Sequence, residues 1–208
     1  MRRFVCQQNV AHFETLLTAA TDPRARGTLA ALLSAAKREL ALVESAERGA
    51  DASPLDGRRR TSIDALSARD QLRADFDGSR HPYMLLDPGP GLHIVDINDA
   101  YATVTFITRS EAAGKSLFEV FPDNPADPGA DGVSNLFASL KTVAQTGEPH
   151  AMAIQRYDIR DPSGRFVERH WLPINRPIRD ADGRLVFLLH HVEDVTQQVL
   201  SPPVGTRG

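Results

Sequence analysis

The chain has 208 residues, 24 of them basic and 27 acidic, for a formal net charge of -3, and 41% of its residues are hydrophobic. That content suffices for a core without staples, and the charge supplies no broad positive field, so neither nucleic acid nor an anionic membrane surface is an expected partner. Cys6 is the only cysteine, which forbids an intramolecular disulfide and fits a reducing interior. The N-terminus carries Gln7, Gln8, Asn9, His12 and Glu14 where a signal peptide would be unbroken and apolar. No run reaches the roughly 18 apolar residues of a membrane span, so a cytoplasmic protein is expected.

Residues 1–48 predict a helical hairpin. Cys6, Val10, Phe13, Leu17 and Ala20 recur at steps of three and four, and a second stripe runs through Leu29, Leu32, Leu33, Ala36, Leu40 and Val43. Between them Asp22 is the expected N-cap, with Pro23 in the first turn, where a missing N–H costs nothing. Residues 49–61 contain Gly, Ser, Pro and Asp without periodicity and are expected to be a linker. Arg58, Arg59 and Arg60 within it are the only basic cluster and read as a solvated spacer. Residues 62–79 predict a helix leading into the next domain, its apolar stripe carried by Ile63, Leu66, Leu72 and Phe76.

From residue 80 to 196 the periodicity changes. Tyr83 to Leu86 and His93 to Ile97 read as strands joined by the turn Asp87-Pro88-Gly89-Pro90-Gly91. Short helices are expected from Asn98 to about Phe106 and from Ser110 to Ala113, and a longer one from Gly132 to Thr146, with Gly147 as its C-cap. Three strands follow, Ala151 to Ile159, Phe166 to Ile178 and Leu185 to Asp194, separated by Asp-and-Gly turns. Centring those turns sets Ile154 opposite Trp171 and Trp171 opposite Val192, with Tyr157, Phe166, Leu172, Phe187 and Leu189 on the other face. Two apolar faces mean that something must cover the second, either the helices before Pro82 or a partner subunit. Residues 197–208 are expected to be a flexible tail, since Ser201-Pro202-Pro203 stops any helix.

The stretch Ile94 to Tyr101 (IVDINDAY), followed from Thr108 to Asp123 by TRSEAAGKSLFEVFPD and closed by Asp194-Val195-Thr196, resembles the PAS domain. The likeness is closest to the PAS sensory modules of bacterial signal-transduction proteins, including sensor histidine kinases. It implies an α+β fold: a PAS-like five-stranded antiparallel sheet with helices on one face, here preceded by the α-helical hairpin. It also implies a sensory and protein-interaction module in bacterial signal transduction, a component of a two-component system. Such a module signals by dimerisation or partner contact, with a homodimer or a signalling protein as partner and a small-molecule ligand to be bound. Candidate pocket walls are Tyr101, Phe106, Phe118, Leu136, Ile154 and Trp171, each equally an ordinary core residue. Asp194 and Thr196 are candidates for transmitting strain at the sheet end, or simply for finishing the last strand with hydrogen bonds.

The cofactor is left unknown. Flavin-type PAS light sensors use a cysteine in an Asn-Cys-Arg segment, and the corresponding region here has none. Haem-type members use a histidine on the long helix, and residues 132–146 contain none. His190 and His191 are adjacent in a strand and point to opposite faces, so they cannot share a metal, and no metal set is expected. Asp123, Asp127 and Asp131 have the wrong spacing for a calcium loop and suit turn and N-cap duty. No catalytic elbow, phosphate loop or His-Glu-x-x-His is present, so the chain is not expected to be an enzyme. The alternatives are a small enzyme using the cavity, with His170, His191 or Glu168 as acid or base, a truncated relative of a sensor histidine kinase, or a structural adaptor with a filled core.

Overall fold

The computed structural model describes residues 1–50 and 63–201. Most of the expected linker and the tail from 202 onward lie outside the described residues, as does the arginine cluster. No helix among the described residues is long and apolar enough to cross a membrane.

Helices α1 (Arg2–Ala19) and α2 (Pro23–Arg48) form the expected hairpin. The Asp22 carboxylate accepts the Ala25 N–H at 2.8 Å, so the cap falls where the sequence puts it. The Arg26 guanidinium closes the other side of the turn by donating to the Leu17 and Ala20 carbonyls at 3.1 and 2.9 Å, which satisfies orphan acceptors at the end of α1. Both apolar stripes face inward except Leu32, which is exposed. Ala41, on a different face of α2, is buried in the main core. This second contact face is what docks the hairpin.

A third helix, α3 (Ile63–Asp77), precedes the strands β1 (Tyr83–Leu86) and β2 (Ile94–Ile97). Then come α4 (Asp99–Thr105), α5 (Arg109–Ala112), α6 (Leu117–Val120) and α7 (Gly132–Thr146). The chain ends in short strands β3 (His150–Ala151), β4 (Gln155–Arg156), β5 (Ile159–Arg160) and β6 (Phe166–Val167), long strands β7 (His170–Arg179) and β8 (Leu185–Asp194), and the one-turn helix α8 (Thr196–Leu200). The sheet is antiparallel in the order β2-β1-β8-β7-β3, with β4 also paired to β7 and β5 paired to β6 as a separate ribbon.

The expected five strands are therefore subdivided. The pairing of β3 with β7 (His150 with Asn175) steps by one residue before β4 pairs with it (Gln155 with Trp171). Ile154 falls in the step, so it does not face Trp171 and is 51% exposed. The β7–β8 register is also shifted from expectation: Trp171 lies opposite Asp194, and Pro173 opposite Val192. The cause is the turn, where Gly183 is left-handed (φ 79°), Asp180 and Arg184 close the loop through a 3.0 Å backbone bond, and the ladder is irregular at Ile178/Arg179.

Both faces of the sheet are covered, by different helices. On one, Met84, Leu86, Ile94, Trp171, Leu188 and Val192 pack with residues of α4 to α7. On the other, Leu85, Phe187 and Leu189 pack under Ala65, Ala68, Leu72 and Phe76 of α3. The stripe of α3 thus runs through small alanines at its start, while Ile63 and Leu66 of the expected stripe are exposed. The cover of the second face is thus one of the helices before Pro82, as expected, and among the described residues it is α3; with α3 counted, helices flank the sheet on both faces. Tyr157 and Leu172 also leave the expected second face, Tyr157 for the first core and Leu172 for the surface.

The hairpin docks on α7 and on the β1–β2 turn. Arg38 approaches Asp123 at 3.0 Å and donates to the Ala130 carbonyl at 3.0 Å, and Lys141 pairs with Glu44 at 2.8 Å. Gly91 N–H donates to the Ser45 carbonyl at 2.8 Å, and Ala50 N–H to the Pro88 carbonyl at 2.9 Å. At Gly49 (φ 69°) a Cβ would fall 2.0 Å from the Gly89 carbonyl oxygen, so this docking requires glycine.

Candidate functional site

Between the sheet and helices α4, α6 and α7 lies a cavity of about 50 Å³. Tyr101 of α4, Phe121, Leu136 of α7, Trp171 of β7 and His190 of β8 are among its walls. It is about a third of the roughly 150 Å³ void that admits benzene in an engineered apolar core. As formed, it has room for water or a molecule of a few heavy atoms, and not for a ring system.

Three of the six expected wall residues meet here: Tyr101, Leu136 and Trp171. Phe118 is buried in the adjoining core, edge-on to Phe137 at 6.3 Å. Phe106 and Ile154 do not line the cavity. Phe106 is the left-handed C-cap of α4, is exposed, and has the Arg169 guanidinium 5.8 Å above its ring. Of the wall side chains, the Trp171 indole donates to the Tyr157 carbonyl at 2.8 Å, and the Tyr157 hydroxyl donates to the Phe121 carbonyl. Burial pushes the phenols of Tyr101 and Tyr157 up, so neither ionises near neutrality.

Behind His190 runs a chain of four side chains. His190 Nδ1 lies 2.7 Å from Asn175 Oδ1, Asn175 Nδ2 donates to Ser139 Oγ at 2.7 Å, and Ser139 Oγ lies 2.7 Å from His150 Nδ1. With the amide oxygen toward His190, the ring carries its proton on Nδ1 and keeps its lone pair on Nε2. Burial, helped by the neighbouring His191, lowers the His190 pKa to about 3, so the ring stays neutral. The chain links the cavity wall in β8 through β7 and α7 to half-buried His150 at the start of β3.

Its middle members were not expected from the sequence. A signal exists nonetheless: Asn175 and His190 occupy inward positions of strands whose neighbours two residues away, Pro173, Leu188 and Val192, are apolar, and Ser139 sits among Leu136, Leu140 and Val143. A polar residue at a core position needs a partner. The partner's identity depends on register, which the sequence leaves open.

Asp194 and Thr196 close the same end of the sheet. Thr196 N–H donates to Asp194 Oδ1 at 2.9 Å, Thr196 Oγ1 accepts the His170 N–H at 2.9 Å, and Asp194 faces Arg169 at 3.5 Å. They therefore hold the start of β7 beside the wall residue Trp171. The proposed acid–base groups do not converge on the cavity: His170 pairs with Glu168 at 2.9 Å, while His191 lies on the α3 side against His81 and Tyr83. Of the acidic loop, Asp123 accepts the Val133 N–H at 3.0 Å at the start of α7 and Asp127 closes a turn on Gly129 at 2.9 Å.

An antiparallel sheet with short helices cupped over a small cavity defines an α+β domain. A family model described as the PAS fold matches residues 76–200, more than half of the chain, and the chain belongs to that family. Among solved structures it is similar to the LOV protein of Rhodobacter sphaeroides, with a TM-score of 0.50 and 14% identity over 65% of this chain and 71% of that one. It is also similar to the PAS domain of Bordetella pertussis BvgS, with a TM-score of 0.48 and 23% identity over 64% of this chain and 90% of that one. A third is the PAS domain of a Colwellia psychrerythraea protein, with a TM-score of 0.45 and 16% identity over 64% of this chain and 99% of that one. At 14% identity the likeness to the Rhodobacter sphaeroides protein speaks for the fold alone. No curated protein matches the chain. PAS domains are sensory and interaction modules, and sensing is their general role in place of catalysis.

Proposed function

We propose that this chain is a cytoplasmic sensory and protein-interaction module in bacterial signal transduction, in which occupancy of the cavity is passed through α7 to the N-terminal hairpin. The observation that supports this reading is the double role of α7. Gly132 and Leu136 line the cavity and Ser139 belongs to the polar chain, while Lys141 is paired with Glu44 of α2. A small shift of α7 therefore reaches the hairpin without crossing the sheet. The hairpin presents Phe4, Val5, Leu16 and Leu32 to solvent, an apolar surface for a second copy of the chain or for a signalling protein. The ligand is small and largely apolar, with the His190 lone pair as one hydrogen-bond acceptor. NMR of the full chain under xenon pressure tests the cavity as a binding site. Shifts concentrated at Leu136, Met152, Trp171 and Val192 are expected, and a spectrum unchanged at these residues would contradict it.

A further inference from the structure

On the face of the sheet away from the cavity, His191 and Glu193 stand two residues apart in β8 and so project on the same side. His81, in the turn between α3 and β1, meets them there. One ligand atom from each of the three lies within 4.8 Å of the others. The turn is fixed: the His81 carbonyl accepts from Asn98 Nδ2 at 2.8 Å, and its N–H donates to Ser79 Oγ at 3.0 Å. The His81 and His191 rings are edge-on at 5.3 Å, with the Tyr83 ring also 5.3 Å from His191.

His191 Nε2 is buried and has no hydrogen-bond partner among the described residues. An orphaned imidazole nitrogen is costly unless something else occupies it. A neutral imidazole offers such a nitrogen lone pair to a metal. Arg176 of β7 is the cation that works against a bound ion here, and the Glu193 carboxylate supplies the compensating charge.

We propose that His81, His191 and Glu193 form a binding site for one divalent transition-metal ion of the zinc type, with the remaining coordination position open to water. Two imidazoles and a carboxylate suit zinc and its neighbours, whereas calcium and magnesium require sets of oxygen ligands. The consequence is mechanical. His81 follows the end of α3 by a few residues, so the ion fastens the α3–β1 turn to β8 and holds α3 over the sheet face that it covers. His81 lies far along the chain from His191 and Glu193, and no local spacing in the sequence marks the full set.

The test is calorimetric titration of the full chain, free of any histidine tag, with Zn²⁺, alongside Co²⁺ titration followed by its visible absorption bands. One equivalent is expected to bind with the absorption of a low-symmetry nitrogen and oxygen site. His81→Ala and Glu193→Gln, both at exposed positions, are each expected to weaken binding about tenfold or more, whereas His170→Ala at the separate His170–Glu168 pair leaves it unchanged. Circular dichroism checks that each variant is folded. Absence of saturable binding would overturn the proposal, as would equal binding by wild type, His81→Ala and Glu193→Gln, or loss confined to His170→Ala.

Discussion

Asn98 uses each atom of its side-chain amide twice. Oδ1 accepts the N–H groups of Tyr101, as the cap of α4, and of Tyr83 in β1, at 2.9 and 3.0 Å, while Nδ2 donates to the Phe76 and His81 carbonyls at 3.0 and 2.8 Å. The residue is fully buried and holds α3, β1 and α4 together. Asn98→Ala loses the cap and orphans buried backbone groups, so it should destabilise the protein by about 3 kcal/mol in denaturant unfolding; a loss under about 1 kcal/mol would show those groups to be solvated. His190 gives a dependence on pH. A histidine of ordinary pKa 6.5 that is held to about 3 in the folded chain takes up a proton only on unfolding. Its contribution is therefore intact above pH 6.5 and is lost as the pH falls from there toward about 3, at about 1.4 kcal/mol per unit. His190→Gln should flatten stability between roughly pH 6 and pH 4 by that slope, and an unaltered slope would contradict the assigned burial.

At the scale of elements, the contact between α2 and the start of α7 rests on one ion pair more than the other. Lys141–Glu44 is partly exposed and is worth about 0.2–1 kcal/mol. Arg38–Asp123 is different, because the carboxylate is buried and its pKa is raised by that burial, against the lowering effects of the Val133 N–H and Arg38. Arg38→Ala leaves that carboxylate with the Val133 N–H as its remaining backbone donor, and the expected cost is about 2 kcal/mol or more. Asp123→Asn removes the stranded charge, so the double variant should lose less than the sum of the single ones. Additivity in denaturant unfolding would mean that the two groups are not coupled.

For the molecule as a whole, element order and caps were legible because they are written locally. The heptad-like steps of the hairpin, Asp22 before Pro23, and Asn98 before an apolar run each act within one or two turns. The Arg109 that follows the Thr108 cap of α5 already reaches further, pairing with Asp77 at the end of α3. Register was less legible, since one step in β3–β4 pairing moves Ile154 from wall to surface, and one irregular turn at Gly183 moves the partner of Trp171 from Val192 to Asp194. The two apolar faces were visible, yet where the hairpin docks depended on pairs such as Arg38–Asp123 that no periodicity announces. The same arrangement places α7 between the cavity and the hairpin, and that coupling is the central claim. Hydrogen exchange measured on the full chain with the cavity filled by Leu136→Trp tests it most directly. Altered protection in the second half of α2, from Arg38 to Arg48, is the predicted result; changes confined to α4, α7 and the sheet, with the α2 amides exchanging as in wild type, would contradict it.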